Sequence, residues 1–225
     1  MERIAEHVLW MPPGKPDRPS LCAVVGERWT LALDAGSSRA HARAFLDALP
    51  SRPSAVVYTH SHWDHVFGGV ELDALVIAHA LTAERLLELA TRDWSDGGLE
   101  ARVAAGLSSP EHAANVKEEL PSPRTVEIVP ADIVFDEGLD LDLGGGVTAR
   151  VRHVGGAHAA DSSVILVEPD GVLFLGDALC DPPDDRLVGA IFELPAELYV
   201  EGHHPAVSTR PELEAIVEEL RSDLH

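Results

Sequence analysis

The stretch Thr59-His60-Ser61-His62-Trp63-Asp64-His65 constrains this chain more than any other. Three imidazoles and one carboxylate fall within six consecutive positions, directly after the apolar run Ala55-Val56-Val57-Tyr58. That run is β-branched and aromatic, so it reads as a buried strand. The polar cluster then lies where a central strand ends and the chain turns, the place where open sheets build ligand sites. Imidazole nitrogen and carboxylate oxygen are the ligands that Zn²⁺ and its neighbours prefer. One residue of spacing lets His60 and His62 point the same way from an extended backbone, while Asp64 and His65, past the turn, can face a second ion.

Composition narrows the partners. The chain has 225 residues, of which 45% are hydrophobic, enough to bury a substantial core. Its 38 acidic residues against 17 basic ones give a net charge of −21. Such a surface repels phosphate backbones, so nucleic acid is not an expected partner, and no Lys/Arg cluster along the sequence reverses this locally. Bound divalent cations would offset part of the negative charge. The two cysteines, Cys22 and Cys180, form no disulfide scaffold and fit a reducing compartment. The segment Met1–His7 lacks the pattern of a signal peptide, and no apolar run approaches membrane-spanning length. A soluble, cytoplasmic protein with a small-molecule substrate and no membrane partner is expected; oligomeric state is not legible.

The remaining pattern alternates between strand and helix. Leu21–Val25 and Trp29–Leu33 flank Gly26-Glu27-Arg28 as a β-hairpin, and the second strand ends in Asp34. Ser38 can cap a helix running to about Leu49, with Ala42, Phe45 and Leu49 on one face. Gly68-Gly69 marks a turn or close approach, and Leu75–Ala78 reads as a short strand. From Leu81 to Leu120 the pattern is helical. Thr82 is the expected cap, Ala83, Leu86, Leu87 and Ala90 the buried stripe, and Trp94–Gly98 the break; this block is either an outer layer or a lid over the site. Strands are then expected at Asp132–Phe135, Leu139–Leu143, Val147–Val154, Ser163–Val167, Val172–Leu175 and Leu198–Val200, with Asp170-Gly171 as a hairpin turn. Thr209 and Glu212 make a capping box for a last helix carrying Leu213, Ile216, Val217 and Leu220. No linker or low-complexity stretch divides the chain, so one domain over 1–225, with a helical insertion at about 81–120, is expected.

Three later positions complete the first cluster. His158 lies in a small-residue loop after a strand, Asp177 follows Val172-Leu173-Phe174-Leu175-Gly176, and His203 follows Leu198-Tyr199-Val200-Glu201-Gly202. Each metal-capable side chain follows an apolar strand, with Gly nearby.

The motifs His60-x-His62-x-Asp64-His65, His158 in an H-x-x-D-S context, Gly176-Asp177 and Gly202-His203, in this order, resemble the metallo-β-lactamase superfamily over nearly the whole chain. The resemblance implies an αββα sandwich, two mixed sheets face to face with helices outside and the site among loops at one edge. It puts His60, His62 and His158 on one metal and Asp64, His65 and His203 on a second, with Asp177 bridging. Asp34 resembles the early strand-end aspartate that supports the ligands from behind. His158 is preferred over His153 by its small neighbours and the following Asp161-Ser162, and His203 over His204 by the preceding Gly202. Ala157 and Ala159 replace the Gly and Thr usual beside that histidine, which removes a supporting hydroxyl. His7, His41, His79, His112 and His225 read as surface or core histidines, and Cys180 either as a small buried thiol or as a residue that approaches the pocket. Trp63 either packs beneath the site or lines its entrance.

Two divalent metal ions are implied, Zn²⁺ first, with Fe²⁺ or Mn²⁺ as alternatives. A hydroxide bridging them would attack a carbonyl or phosphorus centre, with Asp64 and Asp177 as the catalytic carboxylates. The pattern is closest to glyoxalase II and lactonase-like members, which points to a small ester, thioester or lactone. A mononuclear iron oxygenase acting on a thiol or persulfide, a phosphodiesterase and a non-catalytic metal-binding protein stay open. Substrate choice is assigned to the block Leu81–Leu120 and a loop Cys180–Phe192.

Overall fold

In the computed structural model, which describes residues 1–222, the strands pair into two sheets whose central members, Leu21–Val25, Thr30–Leu33, Ala55–Val57, Ser163–Glu168 and Val172–Gly176, bury both faces. His225 lies outside the described residues. The first half contributes β1 (Glu2–Arg3), β2 (Val8–Met11), β3 (Leu21–Val25), β4 (Thr30–Leu33), α1 (Arg39–Asp47), β5 (Ala55–Val57), α2 (Trp63–Val66), α3 (Gly69–Leu72) and β6 (Leu75–His79). Three helices follow, α4 (Ala80–Thr91), α5 (Asp96–Ala104) and α6 (Pro110–Glu119), then β7 (Ile133–Phe135). The second half contributes β8 (Gly138–Gly144), β9 (Val147–His153), β10 (Ser163–Glu168), β11 (Val172–Gly176), α7 (Asp185–Phe192), β12 (Leu198–Glu201), β13 (Ser208–Thr209) and α8 (Arg210–Ser222).

The first sheet runs β1-β2-β3-β4-β5-β6-β7 and the second β13-β12-β11-β10-β9-β8. Both are mixed. Pairing is antiparallel from β1 to β4 and parallel from β4 to β7. In the second sheet the β11–β12 pair is parallel and the other pairs are antiparallel.

The two-residue period of the strands sorts their side chains into layers. Cys22, Val24, Leu31, Leu33 and Val57 face Ala149, Val151, Ile165 and Phe174 of the second sheet, which forms the core between the sheets. The opposite parity, Leu21, Ala23, Ala32 and Val56, turns outward onto Phe45, Leu86, Leu89, Leu99 and Val116 of the helices. On the second sheet Val164, Leu166, Leu173 and Leu175 turn outward onto Leu187 and Ile191 of α7 and Leu213 and Val217 of α8. Helix, sheet, sheet and helix layers result, the αββα sandwich. Among the described residues, no helix is long and apolar enough to cross a membrane.

Several local expectations need correction. α4 is capped by His79, whose ring accepts from Leu81 N at 3.2 Å, and not by Thr82, which is buried and donates to Asp161 at 3.0 Å. Its buried stripe is Thr82, Leu86 and Leu89, while Leu87 is exposed, because the helix meets the sheet one residue out of the expected phase. Asp96, Gly97 and Gly98 belong to α5, since Ser95 caps it by accepting from Gly98 N. The segment after Cys180 is not all loop: Asp184 caps α7 by accepting from Leu187 N at 2.7 Å. At α8, Glu212 accepts from both Thr209 N and Thr209 Oγ1, so only half of a capping box forms. The strand β2 has no counterpart among the strands expected from the sequence.

Candidate metal centre

Parallel pairing puts the carboxyl ends of β4 and β5 at one edge of the first sheet, and that of β11 beside β12 in the second. The chain leaves β5 through a bend at Thr59, and His62, in extended backbone, precedes α2, which carries Asp64 and His65 in its single turn. Asp177 follows β11 and His203 follows β12. The ligand atoms of His60, His62, His158 and Asp177 lie within 4.8 Å of one another, and so do those of Asp64, His65, Asp177 and His203. The structure therefore gathers all seven residues singled out in the sequence, with Asp177 shared.

The imidazoles are aimed by a network behind them. Asp34 accepts from Thr59 N at 2.7 Å and from Thr59 Oγ1 at 2.8 Å, and pairs with His65 Nδ1 at 2.7 Å. Because the Thr59 hydroxyl proton goes to Asp34, its oxygen accepts from His60 Nδ1 at 3.0 Å. Both rings thus carry a proton on Nδ1 and turn Nε2 inward. His60 Nε2, His65 Nε2 and Asp177 Oδ1 are buried with no well-aligned hydrogen-bond partner, although His65 Nε2 lies 3.2 Å from Asp177 Oδ2 as an ion pair. Buried polar atoms are rarely left so, and a cation is the partner that this donor set fits. Asp181 holds His158 Nδ1 at 2.9 Å, and His158 Nε2 faces His62 Nδ1 at 3.0 Å.

Charge follows the same division. Burial pushes His60 well below the ordinary imidazole range, and burial with His158 pushes His62 down to about 4. Burial opposes charge on His65, but Asp177, Asp64 and Asp34 outweigh it and raise His65 well above its ordinary value. Burial also opposes charge on His203, yet its hydrogen bonds to Asp177 and Asp64 raise it to about 10. Asp64 and Asp177 are held below the usual carboxylate range: burial opposes this, but His65 and the bond from His203 prevail. In the metal-free chain, protons on His65 and His203 balance the carboxylates that a cation would otherwise balance.

Two glycines make the geometry possible. A Cβ on Gly202 would stand 1.9 Å from Asp177 Oδ1, and one on Gly176 would stand 2.6 Å from Thr59 Oγ1. Gly202→Ala is therefore expected to displace the Asp177 carboxylate and weaken metal uptake while the far-ultraviolet circular dichroism stays unchanged. Equilibrium dialysis checks this, and wild-type affinity would mean that the close approach does not set the position of Asp177.

The nearby alternatives lie elsewhere. His153 stacks on His79 with ring centroids 3.8 Å apart, and His204 pairs with the Ala206 carbonyl. Asp161 is no member of either ligand group; fully buried, it accepts from Ser61 N and Thr82 Oγ1 and pairs with Arg85, which ties the His loop to α4. The sequence does not assign these roles to Asp161, Asp181 and Thr59; only the D-S after His158 hints at the first. Cys180 is exposed rather than buried, on the wall of a cavity of about 810 Å³ above the cluster. Trp63 both packs in the core and lines that cavity. His112 lines it too, so it is more than a surface or core histidine. The helical block forms an outer layer, in which Leu86, Leu89, Leu99 and Val116 cover the sheet, and its Arg85, Arg92, Arg102 and Leu107 line one wall of the cavity.

Comparison with known proteins identifies the family and the fold. The profile of the metallo-β-lactamase superfamily matches residues 16–220, and the chain belongs to that superfamily. No curated protein matches in sequence. Among solved structures, a metallo-β-lactamase family protein from Thermus thermophilus is similar at 17% identity and TM-score 0.68, over 99% of this chain and 80% of that one. An archaeal superfamily protein from Sulfolobus tokodaii is similar at 21% identity and TM-score 0.63, over 97% and 86%. A sec-alkylsulfatase from Pseudomonas sp. is similar at 14% identity and TM-score 0.70, over 97% of this chain but 40% of that one. Identities this low speak for the fold alone. With its His/Asp clusters, the chain has the makings of a site for divalent metal.

Proposed function

We propose that this protein is a metal-dependent hydrolase that holds two divalent ions, Zn²⁺ first, and cleaves a small ester, thioester or lactone. The observation that carries the reading is the convergence of two ligand groups on Asp177, with buried Nε2 atoms left without a well-aligned hydrogen bond. His60, His62 and His158 would hold one ion and Asp64, His65 and His203 the other, with Asp177 common to both. Bound there, such ions supply Lewis acidity and lower the pKa of water from about 15.7 towards about 7.

The chain's own residues do the rest. Asp34 and Thr59 fix the inward tautomers of His60 and His65, so no reorganisation is needed as charge develops. Asp64, at the cavity wall and held below the usual carboxylate range, would stay ionised and orient the attacking water, or shuttle a proton to the leaving group only as that group departs. Although Cys180 is exposed at its surface, desolvation of its sulfur and then the charge of Asp177 push its thiol up, which disfavours the thiolate that a nucleophile needs. The ligand pattern's resemblance to glyoxalase II and the lactonases supports the substrate class.

Metal analysis on protein purified without added metal, with a screen of esters, thioesters, lactones and phosphodiesters on the same sample, tests the reading. About two ions per chain and turnover that a chelator removes and Zn²⁺ restores are expected. A single iron with oxygen consumption on a persulfide would make the protein an oxygenase. No metal after reconstitution would sink the site itself.

A further inference from the structure

Helices α4 and α5 bring three guanidinium groups, Arg85, Arg92 and Arg102, to the cavity above the metal ligands. No Lys/Arg cluster is visible along the sequence, because seven and ten residues separate these positions and only the packing of the helices unites them. Of the three, only Arg85 has a carboxylate within 4.0 Å among the described residues. Arg92 lies 5.1 Å over the Trp94 ring, which leaves its N–H edge uncommitted. Arg102 spends one N–H on the Leu107 carbonyl at 3.1 Å.

The two unpaired cations line the same cavity. Burial and then the charge of Arg102 lower the pKa of Arg92, and both arginines, after burial, help to lower that of His112. Such a half-buried pair is unfavourable until an anion joins it. On a chain of net charge −21 it also stands against the overall field, which repels anions. Glu88 and Glu111 share the wall, and Glu88 offsets part of the charge of Arg92, although no carboxylate lies within 4.0 Å of that guanidinium among the described residues. Trp94 and Leu107 beside it offer apolar contact to a short chain.

We propose that Arg92 and Arg102 bind an oxyanionic group, carboxylate or phosphate, carried by the substrate at the end remote from the bond that is cleaved. The guanidinium fork matches either oxyanion. The proposal deepens the hydrolase reading and rests on it for the identity of the ligand as a substrate.

Binding is measured first, by calorimetry on metal-free protein with hexanoate, hexyl phosphate and hexanol. Either anion is expected to bind more tightly than hexanol, and the better one names the oxyanion. Arg92→Gln and Arg102→Gln are each expected to weaken it by about 10–100-fold, the worth of one or two charge-assisted hydrogen bonds. Arg92→Lys, which keeps the charge, should retain more of the binding than Arg92→Gln. Activity is measured next on the metal-loaded protein, with 4-nitrophenyl hexanoate and the 4-nitrophenyl monoester of adipate. The ratio of kcat/KM for the acidic over the neutral ester should fall by a similar factor in each Gln variant. Anion binding that survives in both Gln variants would place the anion on the imidazoles and overturn the proposal. Tail-dependent binding without hydrolysis of either ester would leave the anion site standing and count against the hydrolase reading. Hydrolysis of both esters with no anion binding and an unchanged ratio would do the reverse.

Discussion

Asp177→Ala is expected to abolish turnover and to leave the chain unable to hold two ions together. Asp177 Oδ2 lies 3.2 Å from His65 Nε2, 3.4 Å from His203 Nε2, 3.5 Å from His158 Nε2 and 3.9 Å from His60 Nε2. It is the residue common to both ligand groups. Outer partners of metal ligands typically contribute about 10–100-fold to metal affinity, and losing a shared ligand should exceed that. Asp177→Asn keeps the shape but removes the anionic charge and one acceptor oxygen, so a fold defect in the Ala variant can be told apart from a ligand defect. Metal content and rate on both variants decide the matter. Full occupancy and wild-type turnover in Asp177→Ala would remove Asp177 from the mechanism.

The largest effect on stability is expected at Asp34. Its side chain is fully buried and serves Thr59 N, Thr59 Oγ1 and His65 Nδ1, while its backbone sits at φ +60°. Asp34→Ala leaves these donors without an acceptor, at about 1–3 kcal/mol for each one stranded. It also puts an unassisted Cβ in left-handed backbone, which costs roughly 1–2 kcal/mol. A loss of about 3–5 kcal/mol follows even with partial relaxation, a large share of the roughly 5–15 kcal/mol that holds a domain folded. Asp34→Gly removes the backbone strain but not the orphaned donors, and Asp34→Asn tolerates the backbone and keeps an acceptor. The expected order of stability is therefore wild type, Asn, Gly, Ala. Urea denaturation in the presence of a chelator measures it without a contribution from metal. Variants that all fall within about 1 kcal/mol of wild type would mean that water replaces the carboxylate at little cost. In the folded variants, His60 and His65 lose the group that fixes their tautomers, so metal affinity should fall by about 10–100-fold as well.

Much of the sandwich is legible in the sequence because its strands are uniform. Runs such as Val172-Leu173-Phe174-Leu175 and Ala55-Val56-Val57 bury both faces, and a continuous apolar run bounded by Gly or Asp is a signal that survives without tertiary knowledge. The ligands are legible for a related reason: each follows such a run within a few residues. Amphipathic helices are less so. The expected phase of α4 fails at Leu87 because Ala, Leu and Thr alternate there so closely that more than one face could be the buried one, and the sheet chooses among them. Helix α7 escapes a sequence reading because Pro182 and Pro183 precede it, and its cap, Asp184, is one of several acidic residues there.

By itself, then, the sequence determined most of the strands and which side chains could serve as metal ligands, because these depend on short-range patterns of polarity and residue type, while the two-sheet layering followed from the resemblance of its motifs to a known superfamily. Only the tertiary structure decided what surrounds them. Asp34 reaches His65, Asp161 reaches Arg85, and Asp181 reaches His158 across 31, 76 and 23 positions of chain. The arginine pair likewise exists only once α4 and α5 pack over the site. Such contacts arise where the folded sheets bring distant segments together, and hydrogen-bond partners chosen at that range leave no periodic trace in the order of the residues.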